Sequence, residues 1–316
     1  MNDRLTQPEG LQAFAGGDVF VGATQLNDPD DDHAGRGRIL QYDSDLNLKG
    51  VLWVEGTTHL VYGLTFAPDA TLWAFDPWAW VAVRVTRDGR QLPNRQFAQR
   101  AFSMVHFLKD GTLLFTEALD GDNQPVPLTT RHPVLPGESS KLGDGGIYRF
   151  DAEGDLLKVY DPEVHGGMSG SMAITHSVMS ADGDSVIYVS ETGSRLMRYD
   201  LVNDRQLPDL RSYADAERQM YFDLASVSSG RLLICMGNRL DLLSESGVEL
   251  RSYPLEGFGW SVISTSPDER YAYVGNWFSG QLGKFDLEDG QLKAMTQVCE
   301  KCMAGMAVNP GPAITD

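Results

Sequence analysis

Apolar and polar residues alternate along most of the chain, in short runs broken by Ser, Pro, Asp and Gly. The alternation has the period of two that marks a half-buried strand, and helical spacing is scarce. One phrase returns at roughly 40-residue intervals. It reads apolar strand, Ser/Pro-Asp/Gly turn, second apolar strand ending in an acid or amide, and third strand ending in Tyr/Phe-Asp. The clearest copies run from His176 to Glu191 and from Trp260 to Asn276. Strands inside a repeat of this length predict an all-β chain folded as a β-propeller.

Aligned on their turns, the copies lay out five blades. Blade one begins near Val61, turns at Ala67 to Ala70 and continues from Leu72 to Asp76. Blade two runs from Ser103, turns at Lys109 to Gly111 and ends its second strand at Glu117. Blade three is the His176 copy, with a third strand from Arg195 to Asp200. Blade four runs from Tyr221, turns at Ser228 to Gly230 and continues from Leu232 to Asn238. Blade five is the Trp260 copy, with a third strand from Gln281 to Asp286. The sixth needs both ends of the chain: Met303 onward supplies an innermost strand, and three strands near Asp18, Gly37 and Leu48 complete it. Residues 1–316 thus read as one six-bladed propeller, its last blade closed by one C-terminal and three N-terminal strands, which leaves few exposed edges. The loop at 118–145, roughly 28 residues, is far longer than a hairpin needs and reads as a lid or a linker.

Composition narrows the partners. The net charge is −18, whereas nucleic-acid binding needs Lys/Arg stripes to neutralise phosphates. No apolar run is long enough to span a membrane. The first residues lack a signal-peptide pattern, so the expected location is cytoplasmic. Three cysteines are too few for a disulfide framework; Cys299 and Cys302 form a lone CxxC, open to metal or redox chemistry, and Cys235 reads as core.

The alignment also predicts a site. Second-strand ends and the loops before the inner strands share one rim, the upper one, and bring together Asp76, Glu117, Glu191 and Asn276. Such a ring of acids and amides is either a functional cleft or ordinary strand-end polarity that satisfies turns. Counting back from each turn by twos gives three channel levels. Nearest the rim stand Val61, Phe102, Ile174, Tyr221, Trp260 and Met303. Next come Gly63, Met104, His176, Asp223, Val262 and Gly305. Deepest are Thr65, His106, Val178, Ala225, Ser264 and Ala307. The expected picture is an apolar mouth of Phe102, Tyr221 and Trp260 above His176 and Asp223 from neighbouring blades. A His beside an Asp is a general base with its orienting carboxylate, a pair of cation ligands, or a structural plug. His59, just before blade one, and His106, deeper in the channel, are further substrate-contact candidates with Asp76.

The segment from Ser180 to Leu201 resembles the SMP-30/gluconolactonase/strictosidine-synthase-like superfamily, whose blade phrase runs Ser-Pro-Asp-Gly, Leu-Tyr-Val-x-Glu/Asp-Thr, Arg-Ile-x-Arg-Tyr-Asp. Blade five resembles it more loosely, as it does propellers of the YVTN and NHL types. The resemblance implies a six-bladed propeller with one divalent cation, calcium or zinc, on its axis, and lactone or organophosphate hydrolysis or metal-free C–C bond formation. His176 and Asp223 fall within one position of the family's Asn and Asp ligands; strictly aligned, those places hold Thr175 and Phe222. The expectation is an enzyme on a small organic substrate at the upper rim. It would hydrolyse a lactone or ester with His176 and Asp223, with Glu117, Glu191 and Asn276 completing the shell of any cation. A metal-free lyase, isomerase or cyclase, and a non-catalytic binding propeller, are the alternatives.

Overall fold

The computed structural model describes residues 9–28, 30–58, 60–122, 132–214, 217 and 219–311. They form six four-stranded antiparallel sheets, in which each inner strand touches the inner strands of the blades before and after it in a closed ring. The inner strands are Tyr62–Phe66, Phe102–Phe107, His176–Met179, Asp223–Val227, Trp260–Thr265 and Met303–Val308. The ring closes as the repeat predicts: Met303–Val308 pairs with Val19–Asp28, which is followed outward by Asp31–Tyr42 and Leu48–Trp53.

Why these strands make blades follows from their two-sided burial. Each sheet packs both faces, so the core is divided into six wedges between neighbouring blades. Phe75 and Ala82 of blade one meet Phe102, Phe115 and Phe150 of blade two. Ile187 and Val189 of blade three meet Tyr221, Leu224 and Ile234 of blade four. The closing blade inserts Val19, Val21 and Met306 against Val262 and Tyr273 of blade five. The turn chemistry that recurs from blade to blade is local satisfaction of backbone. Ser180 Oγ donates to Asp182 at 2.6 Å and Ser266 Oγ to Asp268 at 2.5 Å, while each Asp accepts an N–H two residues on. The Asp ending a third strand does the same for the next turn: Asp200 accepts from the N–H groups of Val202 and Asn203.

Near the axis, backbones approach too closely for side chains. At Gly63, φ is +57° and an added Cβ would lie 1.6 Å from the Ser103 carbonyl oxygen of the next blade. The described part of the long insertion is a hairpin, Asp120–Asp122 with Lys141–Asp144, whose Leu119 and Leu142 form a small core with Ala101 and Ala118. Cys299 and Cys302 form a disulfide in the loop entering the ring-closing strand. Cys235 is buried in the core, its thiol donating to the Trp260 carbonyl.

Candidate active site

The inner strands share one irregularity that decides what faces the channel. Phe102 pairs with Glu117 and Met104 with Thr116, so Ser103 is an extra residue. Trp260 and Val262 flank the same kind of bulge against Asn276 and Gly275, and so do Met303 and Gly305 against Ala23 and Gly22. In blade one the break falls between Tyr62 and Thr65. In blades three and four, Thr175 and His176 both meet Val189, and Phe222 and Asp223 both meet Cys235. A bulge sets two residues opposite one, and a slip of one residue reverses which face a side chain takes.

Below the bulge most of the expected positions border the axial cavities, with Leu64, Ser177 and Ile263 beside them. Thr65, His106, Val178, Ala225, Ser264 and Ala307 all line the channel, and so do Gly63, Met104, His176, Asp223 and Gly305 one step higher. Val262 is turned into the wedge between blades five and six. Above the bulge the expectation fails for every blade. Phe102, Tyr221 and Trp260 are buried between blades with Val61, Ile174 and Met303, and form no apolar mouth. Tyr62, which the count by twos pointed away from the axis, turns inward in place of Val61. The sequence signal for it was Gly63, since glycine within a strand marks a bulge or a close approach.

Inside the channel, His176 and Asp223 come from adjacent blades and are both buried, with Nε2 4.0 Å from Oδ1. Tyr62 Oη stands 3.5 Å from His176 Nδ1. Asp223 is held at both oxygens: Oδ1 accepts the Leu224 N–H at 2.7 Å and Oδ2 the Ile263 N–H of the next blade at 2.8 Å. Burial pushes the His176 imidazole down to about 4, against the pull of Glu191 and the Phe222 backbone. Burial likewise lifts the Asp223 carboxyl to about 7, against its two backbone donors. Glu191 is raised too, first by burial and then by Asp223, while His176 opposes the shift. At neutral pH His176 is therefore uncharged and Asp223 is divided between its two forms. The 4.0 Å contact is not an ion pair.

The other rim residues have different occupations. Asp76 accepts from the Thr58 N–H and hydroxyl and from the N–H groups of Trp78 and Ala79, which caps a turn. Glu117 is buried against Arg100, Tyr148 Oη and the N–H groups of Asp144 and Gly146, so it holds down the insertion. Asn276 spans the Phe258 carbonyl and the Ser279 N–H. Among the described residues no three His, Cys, Asp or Glu converge as metal ligands. The donor set proposed for a cation thus does not fit one: Glu117 and Asn276 are spent elsewhere. His106 Nε2 lies 2.9 Å from Ser177 Oγ, and burial lowers its imidazole to about 4. His59 lies outside the described residues.

The cavity that His176 and Asp223 line holds about 370 Å³ and runs toward Ser266, Pro267, Glu269 and Pro310. It adjoins a mouth of about 680 Å³ bordered by Phe66, Pro68, His106 and Pro310. Both lie toward the rim of the turns between first and second strands, opposite the rim expected from the sequence. The described residues of the insertion, 118–122 and 132–145, start from the second-strand end at Glu117 on the other rim, and its middle, 123–131, where a lid was expected, lies outside the described residues.

Fold and channel define a six-bladed β-propeller with a partly enclosed axial cavity. No protein-family model matches the chain, and no curated protein matches it in sequence. Among solved structures it is similar to a chain of a nidogen/laminin complex, at 10% identity over 93% of this chain and 98% of that one, with a TM-score of 0.63. A streptogramin B lyase aligns at 14% identity over 94% and 89% of the two chains, with a TM-score of 0.55. Virginiamycin B lyase from Staphylococcus aureus aligns at 13% identity over 75% and 70%, with a TM-score of 0.50. At such identities the likeness is one of fold. It includes propellers of the virginiamycin B lyase type, and it does not by itself show the SMP-30/gluconolactonase grouping.

Proposed function

We propose that the protein is a small-molecule enzyme that moves a proton beside a carbonyl group in the central channel, as a lyase or isomerase. One observation carries this reading: Asp223 and His176, from adjacent blades, face one cavity 4.0 Å apart, and the carboxyl is held at about 7. A group that titrates near the working pH is the best matched to both take and return a proton. In the proposed step the Asp223 carboxylate removes a proton from the carbon next to the carbonyl, and the C–H electron pair passes to the carbonyl oxygen. An isomerase returns that proton at another carbon. A lyase instead lets the pair form a C=C bond and expel a leaving group one carbon further on. A lactone or ester whose alkyl oxygen sits at that carbon opens this way, with its carboxylate as the leaving group. That keeps the substrate class expected from the sequence. Cation-assisted hydrolysis loses support because Glu117 and Asn276, two of the residues named for the cation, are engaged elsewhere. Two structural neighbours are titled as lyases, which agrees with the class proposed, though the support rests on the channel pair.

The test is solvent exchange. Small lactones, esters and ketones with acidic C–H bonds are incubated with enzyme in D2O, and deuterium uptake and elimination products are read by mass spectrometry. The wild type should label a subset of them, and Asp223→Asn should lose on the order of 10²-fold or more of that rate. Equal rates for the two proteins would sink the assignment and leave a ligand-binding propeller.

A further inference from the structure

We infer that the gap between His176 Nε2 and Asp223 Oδ1 is a seat for one oxygen atom of a carbonyl or carboxylate ligand, and that Tyr62 is the positioning residue that turns the Nε2 proton toward it. The inference rests on the channel being the site, but not on Asp223 acting as a base.

The first ground is distance. At 4.0 Å the two atoms are too far apart to bond each other. One oxygen bonded to both at about 2.8 Å would subtend an angle near 90° between them, and a small rotation of the ring would open the buried Nε2 to it. The second ground is an unmet need. His176 lines the cavity, and its Nε2 is buried and closes no hydrogen bond, although the Phe222 backbone is near enough to pull on the ring. Buried polar atoms are nearly always paired, so an orphan beside a cavity marks where a ligand or water belongs. The third ground is the tautomer. Tyr62 Oη is the hydroxyl within reach of Nδ1, and the two rings lie 5.2 Å apart at a tilt of 39°. With Tyr62 donating to Nδ1, the proton of a neutral imidazole sits on Nε2. The contact is long at 3.5 Å, as catalytic hydrogen bonds often are before a ligand draws them in. The fourth ground is a fixed acid. Two backbone N–H groups hold both Asp223 oxygens in place, so a protonated carboxyl presents its O–H from a set position.

The seat therefore has two donors while Asp223 carries its proton, and one donor beside an anion once it does not. The titratable groups around it are Tyr62 from blade one, His176 and Glu191 from blade three, and Cys235 from the second strand of blade four, with Glu269 farther down the same cavity. Met104, Val178 and Ile263 wall the cavity with apolar surface, which suits a ligand with a short hydrocarbon body.

The experiment uses the full chain labelled with 15N-histidine, with acetate alone as the probe, between pH 5.5 and 8.5. His176, assigned by the signal lost in His176→Gln, should show a protonated Nε2 and a bare Nδ1. Acetate should shift the Nε2 signal saturably, and its affinity should fall about tenfold per pH unit above about 7, because binding then requires uptake of a proton. Tyr62→Phe should weaken acetate at least threefold. A proton on Nδ1, an Nε2 signal that acetate leaves unmoved, or an affinity that does not change with pH would overturn the oxygen seat. Unchanged acetate binding in Tyr62→Phe would overturn the role of Tyr62. If that variant does not fold, the wild-type signals alone decide the tautomer. Acetate binding without any deuterium exchange would remove the proposed reaction and keep the seat; exchange without a His176 response would do the reverse.

Discussion

Replacing Asp223 with Asn removes a carboxyl that the fold moves from its ordinary 3.8 to about 7. The folded chain keeps that proton between about pH 4 and 7, whereas the unfolded chain gives it up. Wherever the folded state binds more protons, stability falls as pH rises. The carboxyl is thus tolerated at low pH and becomes a burden above about 7. At about 1.4 kcal/mol per pH unit, the burden reaches about 4 kcal/mol. Asparagine does not titrate. It also turns an amide N–H toward one of the two backbone donors that Asp223 satisfies, at a cost of roughly 1–3 kcal/mol independent of pH. Equilibrium urea unfolding of both proteins, followed by tryptophan fluorescence from pH 4 to 8, gives the difference directly. The wild type should lead at pH 4 and lose about 4 kcal/mol of that lead by pH 8. His176 and His106, both lowered to about 4, contribute with the opposite sign, stability gained as pH climbs from 4 toward 6.5. They are present in both proteins, so the comparison removes their main effect. A difference that stays flat across this range would refute the burial of a proton-holding carboxyl in the channel.

Further outcomes follow from the same geometry. Glu117→Gln should lower stability by roughly 1–3 kcal/mol and speed proteolysis within 118–145, because Glu117 ties Asp144 at the end of that segment to Arg100, Gly146 and Tyr148 beside it; deuterium exchange at saturating substrate should not change. Gly63→Ala should unfold at markedly lower temperature in a thermal melt, by on the order of 3 kcal/mol or more, since the methyl group would meet the Ser103 carbonyl at 1.6 Å in a left-handed backbone. Reducing the Cys299–Cys302 bond should cost about 2 kcal/mol from the small loop it closes, read as a drop in urea midpoint that Cys299→Ser reproduces without reductant.

The propeller was legible because its phrase repeats, and repetition reports register. Turn residues such as Asp182 and Asp268 mark where each hairpin reverses, so counting from them places Thr65, His106 and Ala307 on the axis. The count fails at Ser103 and its counterparts because a bulge is a break in the period on which the count depends. Phe102, Tyr221 and Trp260 went to the wedges between blades for that reason, and Tyr62 came in. The second-strand ends were misleading in another way. Asp76, Glu117, Glu191 and Asn276 occupy matching positions, yet three of them are bound to loops, caps or the insertion, and Glu191 alone is coupled to His176 and Asp223. Position in the repeat does not separate these cases: Asp76, Glu117 and Asn276 are held by loops of their own blades, whereas Glu191 is coupled to Asp223 of the next blade. The direction in which the cavity opens was equally hidden, because it depends on which side chains fill the axis.

The most direct test of the channel account is the ionisation of Asp223 itself. Carboxyl-13C aspartate labelling, with the signal assigned by its loss in Asp223→Asn, follows that one group through a pH titration of the folded protein. A midpoint near 7 is predicted. A midpoint in the ordinary range around 3.8 would contradict the poised acid–base residue on which the proposed reaction depends.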